Sequence, residues 1–193
     1  MNPTTRAKLL TLLTRGYAYK PGGFLLSAGT FSDEYLDCRL ALSYPEAGEF
    51  LGDAFLSFIN PNAVAIGGLT LGADPISINT SRSSATTSRP LRWFSVRKKP
   101  KDHGTGKRIE GAVFSGDFVT VVEDVVTTGK STLEVIKACN DYGLEVIQVI
   151  ALVDRDTGGL QRIQEYIGTQ VLALFTKEEI RAEWSRVGLS PGT

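Results

Sequence analysis

The chain has 193 residues, which suggests one domain over 1–193, and its 42% hydrophobic residues are enough to bury a core. Its 21 basic and 21 acidic residues give a net charge of zero, which argues against a general nucleic-acid binder. Cys38 and Cys139 lack the spacing of a zinc site or a disulfide framework, so we expect a reducing, cytoplasmic setting. We expect neither a signal peptide nor a membrane span, because no apolar run is long enough.

The first forty residues or so predict a helix followed by a small cap. An amphipathic helix over about 4–15 carries its apolar residues on one side, namely Leu9, Leu10, Leu12 and Leu13. Two short strands, at 24–26 and 35–37, surround a turn, and we expect them to lie outside the main sheet. The pattern Ser43-x-x-Glu46 is typical of a capping box and predicts a helix over about 45–59.

Strands and helices alternate from residue 63 onward. The predicted strands are 63–66, 92–96, 109–114, 118–122, 145–153 and 171–174, and the predicted helices are 75–85, 131–142, 159–166 and 177–185. A second capping box, Thr176-x-x-Glu179, starts the last helix. The alternation predicts an α/β core over about 60–175, with a central, mostly parallel sheet flanked by helices. Ligands bind at the carboxyl ends of such strands, where the loops 67–74, 123–131 and 154–159 lie.

Residues 118–132 combine a buried strand, two acids and a small hydroxyl-rich turn. We call Glu123 and Asp124 the acid pair, and we expect them where the strand ends. We call Thr127–Ser131 the phosphate turn, because a Gly/Thr/Ser turn at a helix N-terminus binds phosphate. Carboxylates repel phosphate and instead suit ribose hydroxyls, positive charge or Mg²⁺. The stretch predicts a ribose phosphate site, and it lacks the first glycine of a P-loop.

Residues 97–108, which we call the lid, contain six cations and one acid, a net +5. They include the chain's only histidine, His103, and no helix or strand pattern. A solvated loop and a nucleic-acid patch are the alternative interpretations. A mobile cationic loop suits closure over a polyanionic substrate, where it excludes water and neutralises a leaving group.

Asp154-Arg155-Asp156 follows the strand at 145–153. The sequence leaves two interpretations open. The charges can form a structural ion pair, or Arg155 can use its planar guanidinium to bind a substrate carboxylate or carbonyl.

Together these motifs resemble the type I phosphoribosyltransferases. Val121–Ser131 is similar to their signature for 5-phosphoribosyl-1-diphosphate (PRPP). The lid pattern Arg97-Lys98-x-x-Lys101-x-His103-Gly104 resembles the catalytic loop of the orotate phosphoribosyltransferases. Two further matches are Asp154–Gly159 and Gly68–Pro75, so the resemblance extends from about residue 20 to about 160.

The resemblance implies transfer of a phosphoribosyl group from PRPP to orotate, giving orotidine 5′-monophosphate and diphosphate in UMP biosynthesis, through an oxocarbenium-like sugar cation. It implies a type I fold with a cap (hood) and a flexible lid, Mg²⁺ held mainly by PRPP, and a homodimer whose lid serves the partner's site. The implied catalytic residues are Lys101, His103 and Asp124. The implied PRPP-binding residues are Arg97, Lys98, Lys101, His103, Glu123, Asp124, Val125, Val126, Thr127, Thr128, Gly129, Lys130 and Ser131. The residues implied to bind orotate are Thr127 and Arg155.

Two positions depart from the family pattern. Many relatives carry a lysine in the cap near Leu26–Gly29, and some carry one in the loop Leu71–Asp74, whereas this chain has none in either place. A phosphoribosyltransferase for another base, such as a purine, and a non-catalytic PRPP sensor are the competing hypotheses. The lid motif favours orotate and catalysis.

Overall fold

The computed structural model describes residues 1–14, 18–25, 31–99 and 107–187. The helices are α1 (Pro3–Thr14), α2 (Cys38–Leu42), α3 (Ala47–Leu56), α4 (Asp74–Ser84), α5 (Lys130–Tyr142), α6 (Gly159–Ile167) and α7 (Lys177–Val187). The strands are β1 (Tyr19–Leu25), β2 (Phe31–Leu36), β3 (Ala65–Leu69), β4 (Arg92–Val96), β5 (Ile109–Gly111), β6 (Phe118–Val126), β7 (Glu145–Asp154) and β8 (Gln170–Thr176). Among the described helices, none is long and apolar enough to cross a membrane.

Six strands form the central sheet in the order β5-β4-β3-β6-β7-β8. Neighbouring strands are parallel except β4 and β5, which are antiparallel, so the prediction of a mostly parallel sheet is confirmed. The chain runs from β3 outward to β4 on one side, and then returns to place β6 on the other side of β3. A crevice opens between the loops at such a reversal, at the carboxyl ends of the strands.

Two hydrophobic clusters cover the two faces of this sheet. One contains Phe55, Val122 and Phe175, and the other contains Phe94 and Val121. Because successive side chains of a strand point to opposite faces, adjacent valines of β6 belong to different clusters. The expectation that this strand is buried on both faces is confirmed.

The strand β3 is longer at its carboxyl end than the sequence pattern predicts. We expected a loop from residue 67, but β3 continues through Gly67 and Gly68 to Leu69. A Cβ atom at Gly67 would lie 2.4 Å from the Phe94 carbonyl oxygen, and one at Gly68 would lie 2.1 Å from that of Val122. The two glycines therefore let neighbouring backbones approach closely in the middle of the sheet, and they do not end the strand.

The strand β6 is also longer than predicted. We expected it to end before Glu123, but it continues to Val126, with Val125 beside Val153 and Val126 beside Asp154 of β7. The acid pair therefore lies inside a hydrogen-bonded strand. Its position is fixed by the sheet and not by a loop.

The cap hairpin, β1 and β2, forms its own antiparallel sheet, so the prediction that it lies outside the main sheet is confirmed. Its strands are longer than predicted, because they begin at Tyr19 and Phe31 and not at 24 and 35. Glu34 of β2 is 2% exposed and accepts a hydrogen bond from Tyr19 Oη at 2.7 Å. The same carboxylate pairs with Lys177 Nζ at 2.6 Å and with Arg181 Nη2 at 3.1 Å, both on α7. This cluster, in which Glu34 is buried and its basic partners are partly exposed, attaches the cap to the last helix and holds the end of β2 above the central sheet.

One of the two predicted capping boxes is wrong. Ser43 does not cap α3; it ends α2, a short helix that the sequence pattern did not predict, and its hydroxyl donates to the Leu40 carbonyl oxygen at 2.7 Å. The box at the start of α7 is confirmed. Thr176 N–H donates to Glu179 Oε2 at 2.9 Å, and Glu179 N–H donates back to Thr176 Oγ1 at 3.3 Å.

Candidate active site

A cavity of about 260 Å³ opens at the carboxyl ends of β3 and β6, where the strand order reverses. Its walls come from five parts of the chain that are distant in sequence. They are residues 36–39, 69–72 and 123–125, together with Lys98, Thr127 and Arg155. Five of the residues predicted to bind substrate from the acid pair onward therefore line one cavity, namely Glu123, Asp124, Val125, Thr127 and Arg155.

The acid pair lies between two different sets of partners. Glu123 is 5% exposed, and its Oε2 accepts hydrogen bonds from Ser131 Oγ at 3.0 Å and Thr132 Oγ1 at 3.1 Å, both on α5. Asp124 Oδ1 accepts the backbone N–H of Val125 at 2.9 Å. A Cβ atom at Gly72 would lie 2.6 Å from that same Oδ1, so Asp124 packs directly against the loop after β3.

Burial raises the pKa of both carboxyl groups. The pKa of Glu123 rises to about 8, first because of burial and then because of the neighbouring charge on Asp124. For Asp124, burial is opposed by the Val125 N–H and by the positive charge of Arg39, which favour its ionised form. Because the pKa of Glu123 lies near 8, this carboxyl group holds a proton at neutral pH.

The phosphate turn ends in a helix N-terminus that suits an anion. Gly129 adopts a left-handed conformation, with φ of 77°, and no side chain of the described residues caps the N-terminus of α5. The first N–H groups of a helix have no partner within the helix, and the helix dipole favours negative charge there. The nearest side-chain acceptor, Thr128 Oγ1, lies 3.4 Å from the Lys130 nitrogen, which is a long contact. The local structure thus fits the predicted phosphate site.

The loop 70–73, which we call the β3–α4 loop, connects β3 to α4 and is held at both ends. Thr70 N–H donates to the Val96 carbonyl oxygen at 3.0 Å. The two carboxylate oxygens of Asp74 accept from Thr70 Oγ1 at 2.6 Å and from Ser95 Oγ at 2.8 Å. The peptide bond between Thr70 and Leu71 is cis. Asp74 therefore joins this loop to β4, the strand that leads into the lid.

The described part of the lid begins beside the cavity. Lys98 lines it, and Arg97, Lys98 and Lys99 line an adjoining cavity of about 700 Å³. The base of the lid is closed by two contacts between Arg97 and Arg108: Arg97 N–H donates to the Arg108 carbonyl oxygen at 2.8 Å, and Arg108 Nε donates back at 3.2 Å. The predicted catalytic residues Lys101 and His103 lie outside the described residues.

Arg155 lines the cavity directly after β7. Its backbone N–H donates to the Val126 carbonyl oxygen at 3.0 Å. Asp154 Oδ1 accepts the backbone N–H of Asp156 at 3.1 Å, which forms a tight turn. This placement favours the second of our two interpretations, in which Arg155 serves the site.

Some predicted site residues lie away from the cavity wall. Val126 is 1% exposed, packs in the core and contributes only its backbone carbonyl. Thr128, Gly129, Lys130 and Ser131 lie beyond the cavity lining, at the start of α5. Within the described ranges, no group of three or more His, Cys, Asp or Glu side chains could hold a metal ion.

The sequence pattern missed the contribution of the cap to this site. Leu36, Asp37, Cys38 and Arg39 line the cavity from above. The signal for this segment was Asp37, which caps α2 by accepting the Leu40 N–H at 3.3 Å. An aspartate before a short apolar run is a common helix start.

Comparison with known proteins identifies the family. No protein-family model matches the chain. A curated orotate phosphoribosyltransferase of Aquifex aeolicus is 44% identical over 158 residues, which are 81% of this chain and 86% of the relative. The chain belongs to the orotate phosphoribosyltransferase family. The predicted resemblance is therefore confirmed.

Solved orotate phosphoribosyltransferases share the fold. A crystal structure of the Mycobacterium tuberculosis enzyme, in complex with Fe(III) dicitrate, is 35% identical and has a TM-score of 0.78, covering 91% of this chain and 98% of that chain. A second structure of that enzyme, in complex with PRPP, is 30% identical with a TM-score of 0.73 and covers 93% of each chain. These likenesses confirm the predicted type I fold.

Proposed function

We propose that this chain transfers the 5-phosphoribosyl group from PRPP to orotate, giving orotidine 5′-monophosphate and diphosphate for UMP biosynthesis. The observation that carries the proposal is the single cavity that unites Asp124, Lys98, Thr127 and Arg155. Membership of the orotate phosphoribosyltransferase family supports the acceptor, and the PRPP complex of the Mycobacterium tuberculosis relative supports the donor.

In this proposal PRPP lies across the reversal of the sheet. Its 5′-phosphate binds the N–H groups of the phosphate turn at the start of α5. Its ribose lies beside the acid pair, and its diphosphate points to the β3–α4 loop and the lid. Two observations support this orientation of PRPP: Asp124 packs against Gly72, and Lys98 lies in the cavity wall.

Orotate then lies between Thr127 and Arg155, beneath the cap. The guanidinium of Arg155 can pair with a carboxylate or carbonyl of the base in a bidentate way. Leu36 gives this end of the cavity an apolar wall, against which a planar base can pack.

The reaction places positive charge on the sugar and negative charge on the leaving group. The bond from the anomeric carbon to the diphosphate oxygen breaks, and its electron pair leaves with diphosphate. A ring nitrogen of orotate forms the new bond on the opposite face and loses its proton to solvent water. The negative charge on Asp124 stabilises the oxocarbenium-like sugar, while Arg97, Lys98, Lys101 and His103 neutralise the diphosphate.

Mg²⁺ belongs to the proposal as the ion that accompanies PRPP. The oxygen donors that this hard cation prefers are present in Asp124, whose carboxylate lines the cavity. When bound, Mg²⁺ would neutralise part of the phosphate charge, and most of its ligands would come from PRPP.

A homodimer in the cytoplasm completes the proposal, with the lid of one subunit serving the site of its partner. Lys98, at the base of the lid, lines the cavity of its own chain. We therefore assign the role in the partner's site to the other cationic residues of the lid. The two cysteines are free and buried, which agrees with a reducing compartment.

The test is the loss of orotate absorbance when the chain is mixed with PRPP and Mg²⁺, with uracil and adenine as alternative acceptors. We expect turnover with orotate alone. Turnover with adenine would identify a purine enzyme, and PRPP binding without turnover of any base would identify a sensor.

We expect Lys101→Ala to lower kcat by about tenfold to a hundredfold and to change the Kd of PRPP much less. The reason is that the negative charge on diphosphate grows as it leaves, so a cation contributes most in the transition state. Single-turnover kinetics and PRPP titration separate the two effects. A kcat equal to that of the wild type would remove Lys101 from the mechanism.

We expect Asp74→Asn to raise the KM for PRPP about fivefold, because it removes roughly 1 kcal/mol of hydrogen bonding that holds the β3–α4 loop. Thr70 and Ser95 donate to different oxygens of Asp74, and in asparagine one of these two positions is an NH2 group that accepts no hydrogen bond. The KM for orotate should change little. Ser95→Ala removes one of these contacts and should show a smaller effect of the same kind; an effect confined to orotate would contradict the assignment.

A further inference from the structure

Three consecutive carbonyl oxygens before and within the phosphate turn are held by one neighbouring segment. The Val126 oxygen accepts the backbone N–H of Arg155 at 3.0 Å. The Thr127 oxygen accepts from Thr157 Oγ1 at 2.6 Å, and the Thr128 oxygen accepts from Arg162 Nε at 2.9 Å. All three donors belong to residues 155–162, which run from the end of β7 into α6.

Arg162 also fixes its own side of this contact. Its Nη2 donates to the Thr157 carbonyl oxygen at 3.1 Å, while its Nε holds Thr128. The guanidinium therefore bridges the two loops with a planar fork, a geometry that lysine cannot reproduce.

The two backbones touch directly beside this bridge. A Cβ atom at Gly159 would lie 2.2 Å from the Thr127 carbonyl oxygen and 3.0 Å from the Gly129 nitrogen. A Cβ atom at Gly129 would lie 2.9 Å from the Gly159 carbonyl oxygen. No side chain fits between the loops, so a displacement of one must displace the other.

The bridge also orients the groups that face a ligand. In a planar trans peptide the C=O and the following N–H point in opposite directions. Holding the carbonyls of Thr127 and Thr128 toward residues 155–162 therefore directs the N–H groups of Thr128 and Gly129 away from that segment. These are N–H groups to which we assign the 5′-phosphate.

We propose that Arg162 is a positioning residue that links the 5′-phosphate site to the loop carrying Arg155, so that filling one half of the site tightens binding in the other. This inference rests on the proposed function. Its physical basis is reciprocal: a ligand that orders the phosphate turn also orders the Arg155 loop, and the coupling must be equal in both directions.

The test is calorimetric titration of the full chain with ribose 5-phosphate, and with orotate in the presence and absence of ribose 5-phosphate. We expect Arg162→Gln to weaken ribose 5-phosphate binding about fivefold to tenfold, as expected for losing two hydrogen bonds from an exposed side chain. We also expect coupling to be lost, so that the Kd of orotate for this variant is nearly the same with and without ribose 5-phosphate. Thr157→Val removes one of the three carbonyl contacts. It should lower ribose 5-phosphate affinity and the coupling to orotate binding less than Arg162→Gln does.

Two variants separate positioning from charge. Arg162→Lys keeps the charge but not the fork, so we expect it to restore ribose 5-phosphate affinity only in part. Full recovery of affinity and coupling in Arg162→Lys would overturn the proposal, because simple charge attraction would then suffice. Gln161→Ala, on the same helix turn, should leave affinity and coupling unchanged.

Two further results would also overturn the inference: unchanged coupling in Arg162→Gln, or a lower melting temperature with both affinities unchanged. Failure of the proposed function has a different signature. It would appear as absent orotate turnover in the wild type, while the dependence of ribose 5-phosphate binding on Arg162 would still report on the bridge.

Discussion

Asp124→Asn should lower kcat by about a hundredfold to a thousandfold while the chain stays folded. Asp124 lines the cavity and packs against Gly72, and in the proposed mechanism it supplies the negative charge of the acid pair. A fixed charge in a partly buried site acts more strongly on a developing cation than the same charge in water. Asparagine keeps the shape and can still accept the Val125 N–H, so the substitution removes the charge and little else.

The measurement is kcat and KM for PRPP and orotate, with circular dichroism to check folding. Because the sugar becomes positive only in the transition state, kcat should fall more than PRPP affinity. Asp141→Asn is the matched control, since Asp141 is exposed near the end of α5. An unfolded Asp124→Asn protein would show that the residue is structural, and an active one would exclude it from catalysis.

The sequence predicted the sheet and most of this site because both depend on local patterns. Alternating strands and helices predict a parallel sheet, and a parallel sheet brings successive loops to one edge. The acid pair lies near the carboxyl end of β6, Thr127 directly follows β6 and Arg155 directly follows β7, so their meeting at one cavity could be anticipated. The position where β6 ends could not be anticipated, because two acids after a β-branched run look like the end of a strand. Pairing with β7 keeps them in the sheet.

The two capping boxes show why a local motif is sometimes insufficient. Ser43-x-x-Glu46 and Thr176-x-x-Glu179 have the same pattern, yet only the second forms reciprocal hydrogen bonds. Ser43 is already used by α2, where its hydroxyl donates to Leu40. The presence of α2 therefore decides whether Ser43 caps α3, and the sequence pattern did not predict α2.

The part of the site that could not be predicted depends on contacts between distant residues. The cap lies above the cavity partly because Glu34 meets Lys177 and Arg181 of α7, and Arg181 is 147 residues away from it. The periodic pattern of apolar residues in the sequence does not predict such a long-range ion pair. This ion pair nevertheless holds β2, and so influences where Leu36 and Arg39 enter the site.

Glu123→Gln should stabilise the fold, and the gain should increase between about pH 5 and pH 8. Burial and the charge of Asp124 raise the pKa of Glu123 from its ordinary value of 4.5 to about 8. In that interval the folded chain keeps a proton that the unfolded chain releases. Stability therefore falls as pH rises through this interval, by up to about 1.4 kcal/mol per pH unit. Glutamine resembles the protonated acid and has no proton to lose.

The amide can also keep the contacts of the protonated carboxyl group. Its oxygen can accept from Ser131 and Thr132, as Glu123 Oε2 does, and its N–H can donate to Asp124. We expect a gain in the free energy of unfolding of about 3 kcal/mol at pH 8 and little gain at pH 5. Urea unfolding at the two pH values measures it. Glu134→Gln, an exposed position on α5, is the matched control and should show no such difference.

The same variant separates the roles of the two acids. If Glu123 is protonated in the working enzyme, its substitution by glutamine removes no charge from the site. We therefore expect kcat to fall far less in Glu123→Gln than in Asp124→Asn. Equal gains in stability at pH 5 and pH 8, together with an equal loss of kcat in the two variants, would show that Glu123 is ionised. The negative charge that serves the sugar would then be shared by both acids and not placed on Asp124 alone.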